Sequence, residues 1–349
     1  SLWYPYTGIR PVEHVALVDV IGGTAAAPGV DIVFADSPNR NLFDNADYGL
    51  GCLDTRNVVL QRADFTNCGS GIWSGRATSS APNSALFTSL TFEDCHNSIT
   101  LINSNGDNIS DNVLNAGYGS QYSNFYGVFI EGSSDFHITD NIFNHHLYGI
   151  WSSNSGSIGG MISSNTGGNI FNECWRGIDC RNNNENLQIK CNTFNNVNQG
   201  SSEFSTTWYV GGDLADQGAS GCNTCPAGNE FFRSGSRKDI YSLSGVQSSV
   251  CSGYNFCYYR HDDPPTSLIP LLYTTSTVFV NNTTISKTST SCSGQGIMAM
   301  SGNNPSSAQS MIASQTNSVK QQQLTNELIS WYREQNKLSD AITYLETRK

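Results

Sequence analysis

Asn141-Ile142-Phe143-Asn144 is one copy of a short phrase that recurs along this chain, and the recurrence decides the fold. Each copy reads Asn-x-Phe/Leu-Asn, and an aliphatic residue that usually comes after Gly follows seven residues after the Phe or Leu anchor. Consecutive anchors from Phe65 to Phe194 lie 22 to 29 residues apart. A period of this length without a helical pattern inside it predicts a solenoid. The other copies, of which the last three are looser, are Asn112-Val113-Leu114-Asn115, Asn169-Ile170-Phe171-Asn172, Asn192-Thr193-Phe194-Asn195, Asp64-Phe65-Thr66, Thr91-Phe92-Glu93 and Asn229-Glu230-Phe231.

Each repeat carries two more apolar positions, one five residues before the anchor and one seven residues after it. Three short strands per repeat, separated by Asn and Gly turns, predict an all-β fold, a right-handed parallel β-helix with irregular caps. Asn suits the turns because it tolerates left-handed backbone angles, and because its amide can bond to the Asn of the next repeat, or coil, of the solenoid. An antiparallel sandwich is the alternative, but it would not keep the phrase in register. The additional apolar positions are Leu60, Ile109, Ile138 and Ile189 before the anchors, and Ile72, Ile99, Ile150 and Ile178 after them.

The composition excludes several classes of protein. Hydrophobic residues make up 38% of the 349 residues and there are 33 Gly, so the chain is not disordered. The formal net charge is −11 and there is no basic run, which argues against nucleic acid or an anionic membrane as a partner. No stretch approaches the roughly 18 apolar residues of a membrane helix, so we expect no membrane insertion. Because the sequence opens on Ser1-Leu2-Trp3-Tyr4, we expect it to be a piece of a longer polypeptide.

The 11 cysteines predict an oxidising, extracytoplasmic compartment. Cys68 and Cys95 each lie three residues after their anchors in consecutive coils, about 4.8 Å apart, which predicts a disulfide between them. Local disulfides are predicted within Cys222-Asn223-Thr224-Cys225 and between Cys251 and Cys257. Four further cysteines have no defined pairing, although one bond within the first three is plausible: Cys174, Cys180, Cys191 and Cys292.

The chain divides into five predicted segments. Residues 1–44 form an N-terminal cap with the first irregular coils, and 45–245 form the regular β-helix. Residues 246–300 form an irregular, cysteine-bearing cap, and the polar stretch 301–318 is a linker by composition. Apolar residues at helical spacing then predict a C-terminal helical pair over 319–349, the second helix being N-capped by Ser339.

A row of outward-facing side chains is the main candidate for a functional site. Strand alternation places Trp73, Phe129 and Trp151 outward after the anchors, and an aromatic stripe on a flat sheet can stack sugar rings. These three residues are the predicted ligand contacts, unless inserted loops or another domain cover them. Asp179 follows in the same row, and the neighbouring row carries acidic and basic groups. Catalysis on a polysaccharide would have to use Glu131, Asp179 and Arg181.

Two other clusters are weaker candidates. His145-His146 follows the anchor Phe143, and we interpret it as an exposed turn. In His261-Asp262-Asp263, the two acids Asp262 and Asp263 are candidate metal ligands, but the double Pro that follows favours a loop. The Gly-His-Gly and Arg-x-Lys elements of a polygalacturonase-like site do not occur. A pectate-lyase-like site needs several acidic groups and a basic one, and few are present on the outward face. No cofactor is expected.

Several segments resemble the right-handed parallel β-helix regions of large secreted surface proteins of Bacteroidetes, exported by the type IX system. The resemblance covers about residues 30 to 345. It implies an extracellular or cell-surface protein that is structural or adhesive rather than catalytic. The residues that carry it are Asn45-Ala46-Asp47-Tyr48-Gly49-Leu50, the Asn-x-Phe-Asn phrases, Ala227-Gly228-Asn229-Glu230-Phe231, Tyr258-Tyr259 before Pro264, Asn326-Glu327-Leu328-Ile329-Ser330-Trp331-Tyr332 and Ala341-Ile342-Thr343-Tyr344-Leu345-Glu346.

From these observations we expect a secreted or cell-surface module with a structural or adhesive role. Its partners would be other domains of the same polypeptide, other surface proteins or a polysaccharide. The alternative is a polysaccharide lyase or glycoside hydrolase that acts on an extracellular polysaccharide. A subunit of a filament or of a larger assembly is a third interpretation, because the ends of a solenoid are open sheet edges.

Overall fold

The fold is known from a computed structural model, which describes a large part of the chain. The described residues are 16–21, 32–33, 40–55, 58–76, 85–116, 126–155, 161–162, 169–195, 197, 208–218, 227–232, 238–243, 251–262, 270, 273–276, 278–286, 305–313, 325, 328, 332, 340, 343 and 344.

Most of the described residues belong to three parallel sheets, each built from every third strand. Sheet A contains Ala16–Ile21 (β1), Tyr48–Leu53 (β4), Ser70–Gly75 (β7), Asn97–Ile102 (β10), Tyr126–Glu131 (β13), Tyr148–Ser153 (β16), Arg176–Asn184 (β19), Trp208–Leu214 (β22) and Ile240–Ser242 (β24). Sheet B contains Ile32–Val33 (β2), Val58–Gln61 (β5), Ala85–Thr88 (β8), Asn108–Ser110 (β11), His137–Thr139 (β14), Met161–Ile162 (β17) and Gln188–Ile189 (β20). Sheet C contains Asn41–Asp44 (β3), Ala63–Thr66 (β6), Thr91–Glu93 (β9), Val113–Asn115 (β12), Ile142–Asn144 (β15), Ile170–Asn172 (β18), Thr193–Asn195 (β21) and Glu230–Phe232 (β23).

The chain visits sheets A, B and C in turn, and we call one such passage a coil. Each strand pairs in parallel with the equivalent strands of the coils before and after it, so that Phe143 aligns with Leu114 on one side and Phe171 on the other. The prediction of an all-β fold with parallel sheets is therefore confirmed, and the connectivity agrees with the predicted parallel solenoid.

The corners between sheets use residues in the left-handed conformation, as the turn chemistry predicts. Asn and Asp are enriched there because their short polar side chains tolerate a positive φ. The corner from C to A holds Asn45, Asn67, Asp94, His145 and Glu173, the corner from B to C holds Arg62, Ser89, Asp111, Asp140 and Cys191, and the corner from A to B holds Asp54, Asn103, Asn154 and Asn182.

The anchors of the repeat form a stack of aromatic rings inside the coils. Neighbouring rings lie nearly parallel, with centroids 4.7 Å apart for Phe143 and Phe171 and 4.9 Å apart for Phe171 and Phe194. The apolar positions predicted before and after the anchors are fully buried as well. Burial of this area is the main source of stability for the coils, since the hydrophobic contribution scales with the apolar area removed from water.

The Gly of the phrase is required because each anchor ring lies against it. A Cβ atom on Gly149 would come within 2.5 Å of the Phe171 ring, and one on Gly127 would come equally close to the Phe143 ring. The same position holds Ser98 in the coil whose anchor is Leu114 rather than Phe. The shorter anchor thus occurs in the coil that carries a side chain at the Gly position.

The two Asn residues of the phrase form two separate ladders. The first Asn is fully buried, and its amide bridges to the next coil: Asn141 Nδ2 lies 2.9 Å from Asn169 Oδ1, and Asn169 Nδ2 lies 2.8 Å from Asn192 Oδ1. The last Asn forms a half-buried ladder on the outer face, where Asn172 Nδ2 lies 2.8 Å from Asn144 Oδ1. The predicted bond between Asn amides of successive coils is confirmed in both ladders.

The segments predicted to flank the regular coils also contain strands and a helix. Residues 1–44, the predicted cap, supply β1 to β3, which pair in parallel with the following coil. Within 246–300, Phe256–Asp262 (β25) and Val278–Ser286 (β26) form a further parallel pair. The helix Pro305–Ala313 (α1) lies inside 301–318, the predicted linker. Pro is favoured at a first helical position because it needs no N–H donor there, and Ile312 is buried.

Other segment boundaries stay predictions. In the stretch predicted to form the helical pair, helical conformation is described for Thr325, Leu328, Tyr332, Asp340, Thr343 and Tyr344. Among the described residues, no helix has the length and hydrophobicity that a membrane span requires.

The cysteines only partly follow the prediction. Cys251 and Cys257 form a disulfide, as expected. Cys68 and Cys95 are free thiols, in contrast to the predicted bond between them. Both residues lie in turns between sheets C and A, and the Cys68 thiol donates to the carbonyl oxygen of Thr66 at 3.4 Å. The hydrogen bond from Cys95 lowers the pKa of Cys68 to about 7.

No bond forms within the cluster of three cysteines. Cys174 and Cys180 are free and buried, whereas Cys191 is disulfide-bonded. Burial raises the pKa of Cys174 to about 12, so its thiol is inert at neutral pH. The predicted disulfide between Cys222 and Cys225 lies outside the described residues, as does Cys292, for which no pairing was predicted.

Candidate ligand-binding face

The predicted outward row is present on sheet A. Trp73, Thr100, Phe129, Trp151 and Asp179 are in register on five consecutive strands. The row continues to Tyr209 and Tyr241 in β22 and β24.

Aromatic rings of neighbouring coils stack on one another in this row. The rings of Phe129 and Trp151 are 4.5 Å apart at an interplanar angle of 8°. A second row, which sequence reasoning missed, places Tyr126 on Tyr148 at 5.2 Å and 16°. The sequence pattern that could have revealed this second row is a Tyr three residues before each outward ring. Trp175 adds an edge-on contact with Tyr148 at 5.9 Å. All five rings are half-buried, and we call them the aromatic face.

Trp73 is separated from the aromatic face by one coil. Thr100 occupies that coil in the row and is almost fully buried. Its hydroxyl lies 3.1 Å from the hydroxyl of Ser70, which fixes the side chain against the sheet. Of the three predicted ligand contacts, the structure therefore brings Phe129 and Trp151 together and leaves Trp73 apart.

Asp179 is held between two arginines. Its Oδ1 atom accepts from Arg181 Nε at 2.5 Å, and its Oδ2 atom accepts from Arg181 Nη2 at 3.1 Å and from Arg176 Nη1. The carboxylate is fully buried, whereas the Arg181 side chain is 35% exposed. Burial lowers the pKa of Arg181, but the hydrogen bond to Asp179 and its charge outweigh burial, and the net pKa is raised.

Aromatic rings surround the two guanidinium groups. The Arg176 guanidinium lies 4.6 Å from the ring centroid of Trp175 and 4.3 Å from that of Tyr209. The Arg181 guanidinium lies 4.2 Å from the same Tyr209 ring. These are cation–π distances, which favour a fixed cation at a partly desolvated position. We call Arg176, Asp179 and Arg181 the arginine cluster.

Of the three candidate catalytic residues, Asp179 and Arg181 are hydrogen-bonded to each other, whereas Glu131 lies apart from them. Glu131 is exposed at the end of β13, and in its row the buried Ser153 lies between it and Arg181. Two strand spacings, about 9.6 Å, therefore separate the backbones of Glu131 and Arg181. Because the carboxylate of Asp179 is buried under two guanidinium groups, it does not reach a ligand as an acid or base.

The histidine pair differs from the predicted exposed turn. His145 lies in a left-handed corner, with its Nδ1 atom 3.4 Å from Glu173. His146 is fully buried, and its Nε2 donates to the carbonyl oxygen of Leu114 at 3.2 Å. Burial lowers the pKa of His146 to about 4. The prediction is wrong for His146 because this residue occupies the inward position that Cys68 and other small residues fill in other coils.

A metal centre finds no support in the part of the chain that the structure describes. It contains no group of three or more His, Cys, Asp or Glu residues that could hold a metal ion. Asp262 lies at the end of β25, and Asp263 lies outside the described residues.

Comparisons with protein-family models and with curated proteins find no match for this sequence. A function has to be argued from the geometry of sheet A itself.

Proposed function

We propose that this chain is a secreted or cell-surface structural module that binds a glycan on the aromatic face without cleaving it. In this proposal the coils form a right-handed parallel β-helix of the kind found in the secreted surface proteins of Bacteroidetes that the sequence resembles. The helical residues near the C terminus would contact a further domain or a surface protein.

The observation that carries the proposal is the stacked, half-exposed pair Phe129 and Trp151. Sugar rings present C–H groups that pack on aromatic surfaces, and a flat parallel sheet repeats the contact every 4.8 Å or so along its axis. Such a surface suits an extended chain of sugar rings better than a small molecule in a cavity.

The rigidity of the coils supports an adhesive or structural role. Buried Asn amides and stacked Phe rings connect each coil to the next, so side chains on sheet A keep their spacing. The disulfide between Cys251 and Cys257 is in keeping with an oxidising, extracellular location.

The enzyme alternative has less support. A lyase or hydrolase needs an acid and a base that meet at one bond of the substrate. Asp179 is buried in the arginine cluster, and Glu131 lies about 9.6 Å away from Arg181 along their row.

The test combines binding with product release. The purified chain is passed over immobilised neutral and acidic polysaccharides, and the same mixtures are assayed for new reducing ends and for absorbance from unsaturated sugars. We expect retention on at least one polysaccharide and no release. Trp151→Ala should weaken retention about tenfold or more, the usual cost of removing an aromatic residue at the centre of a binding surface.

The matched control is Ile142→Ala on sheet C. Ile142 is a half-buried, outward-facing apolar residue in the middle of its sheet, so the substitution removes a comparable surface contact away from the aromatic face. Equal weakening by both variants, or no retention on any polysaccharide, would overturn glycan binding. Product release that disappears in Glu131→Gln would replace the proposal with the enzyme alternative.

A further inference from the structure

The arginine cluster gives one end of sheet A a positive charge that the rest of the chain does not lead one to expect. The protein has a formal net charge of −11, yet two guanidinium groups here share a single carboxylate. Lys238 adds a third cation, 4.7 Å from the ring of Tyr241 in β24, two strands beyond Asp179 on this sheet. Besides Asp179, the strands of sheet A carry three acidic residues, Asp19, Glu131 and Asp213. Asp19 is in the row of Asp179 but six strands away from it, and the other two are in different rows.

Arg181 has donor capacity that Asp179 does not use. A guanidinium carries five N–H donors, and Asp179 takes one from Nε and one from Nη2. Nη1 reaches only the Tyr209 hydroxyl, at 3.5 Å, which is a long contact. The side chain is 35% exposed, so the remaining donors are available to a ligand that carries an anionic group.

An aromatic surface lies beside these donors. Phe129 covers one face of the Trp151 ring, and the other face is directed toward the coil of β19, where the in-register residue is the short Asp179. Arg181 lies in that same coil, two residues after Asp179. Asp179 itself is fully buried, so a sugar ring would pack on the exposed part of the Trp151 ring, one coil away from the partly exposed Arg181 guanidinium.

We propose that the aromatic face and the arginine cluster together bind an acidic polysaccharide, with a sugar ring on Trp151 and its carboxylate or sulfate group on Arg181. This inference rests on the proposed glycan-binding function and specifies its ligand class. Guanidinium is the cation best suited to the task, because its fork of donors matches two oxygens of a carboxylate or sulfate group at once.

The test uses four soluble probes in affinity electrophoresis of the full chain. Polygalacturonate carries carboxylates, dextran sulfate carries sulfates, dextran is neutral, and inorganic polyphosphate is an anion without sugar. We expect an acidic saccharide to bind at least tenfold more tightly than dextran. The preference for polygalacturonate or dextran sulfate identifies the anionic group. Binding should weaken as NaCl is raised, because the contact is an exposed charge pair.

Arg181→Gln should lower affinity for the acidic saccharide about tenfold and leave dextran unaffected, while Arg181→Lys should lose part of the affinity by giving up the two-pronged contact. The control is Arg40→Gln. Arg40 is 36% exposed on the sheet C side, with its Nε 2.6 Å from Asp64 Oδ1, so it matches Arg181 in exposure and pairing. Thermal unfolding verifies that each variant is folded.

The outcomes separate this inference from the function on which it rests. If Arg181→Gln leaves acidic binding unchanged while Trp151→Ala abolishes retention, the ligand class proposed here is overturned and glycan binding stands. If neither variant alters binding, both fail. Polyphosphate that binds as tightly as the acidic saccharide would also overturn the inference, because charge alone would then account for it.

Discussion

The interior of sheet C and the exterior of sheet A are built by the same coils but differ in how far they repeat. In the interior along sheet C, Phe anchors follow one another, and one buried Asn follows another from coil to coil. On the outer row of sheet A, the in-register residues change from Thr100 to Phe129, Trp151 and Asp179 over four coils. The repeating interior maintains the coil geometry, and the outer row is free to vary because few backbone contacts depend on it.

The contrast has a physical cause. An interior Asn amide satisfies backbone groups that would otherwise be buried without partners, so each coil needs the same residue. An outward side chain faces solvent or a ligand, and its identity is set by what it binds. We therefore expect substitutions in the repeating interior to reduce stability, and substitutions in the variable outer row of sheet A to affect binding.

The largest expected effect comes from breaking the buried ladder. Asn169 accepts from the backbone N–H and the side-chain amide of Asn141, and donates to Asn192 and to the carbonyl oxygen of Ile138. Asn169→Ala leaves these groups buried without partners, and we expect the free energy of unfolding to fall by about 3 to 5 kcal/mol. Urea-induced unfolding followed by circular dichroism measures the change.

The matched variant is Asn144→Ala in the half-buried outer ladder. Water can replace its bonds to Asn115 and Asn172, so the loss should be no more than about 1 kcal/mol. If both variants lost the same stability, burial would not explain why the interior needs Asn at every coil.

The sequence predicts the repeating part of the molecule well. Phe143 and its counterparts define the strand of sheet C, and the aliphatic residue seven positions later defines the strand of sheet A. The order of the outward row followed from these assignments, since alternation along a strand is a local property. Val128 shows this well, because it is in register with Ile99 and Ile150 although its strand arrives late in the sequence.

The side-chain pairings could not be predicted from the sequence, because they depend on rotamers and on which neighbouring side chains come into contact. The pairing of Asp179 with Arg176 and Arg181 requires rotamers that no spacing reveals. Cys68 and Cys95 interact through a hydrogen bond but remain thiols, so equivalent positions in consecutive coils do not by themselves specify a disulfide. The parallel row of Tyr126 and Tyr148 was missed because it precedes the aliphatic residue instead of following it.

A smaller effect is expected where the interior holds a residue that does not repeat. Asp107 is fully buried at the corner between sheets A and B, in register with Ala85 and Phe136. Burial raises its pKa to about 7, although the hydrogen bond that Ser74 Oγ donates to Asp107 Oδ2 at 3.1 Å and the charge of Arg76 act in the opposite direction.

The sign of the pH dependence follows from this shift. The folded state holds the proton more tightly than the unfolded chain, whose pKa is about 3.9. The stabilisation is complete below that value and is lost as the pH rises through about 7. Between pH 5 and pH 8 the wild-type protein should lose on the order of 2 kcal/mol relative to Asp107→Asn, measured by urea unfolding at each pH. Glu131→Gln, which alters an exposed carboxylate, should leave the difference unchanged, and identical pH profiles for wild type and Asp107→Asn would contradict the assignment.

A further prediction concerns how the size of the anchor matches the residue at the Gly position of the same coil. Leu114→Phe restores the repeat at the anchor but directs a ring at Ser98, which stands where other coils have Gly. We expect a loss of about 1 to 3 kcal/mol, the usual cost of overpacking a filled core. Ser98→Gly should rescue Leu114→Phe, because Gly127 and Gly149 accommodate a Phe ring in their own coils. A double-mutant cycle in urea unfolding measures the coupling, which is favourable if the two positions contact each other. Additive effects would show that positions 98 and 114 do not interact, and that the shorter anchor does not compensate for Ser98.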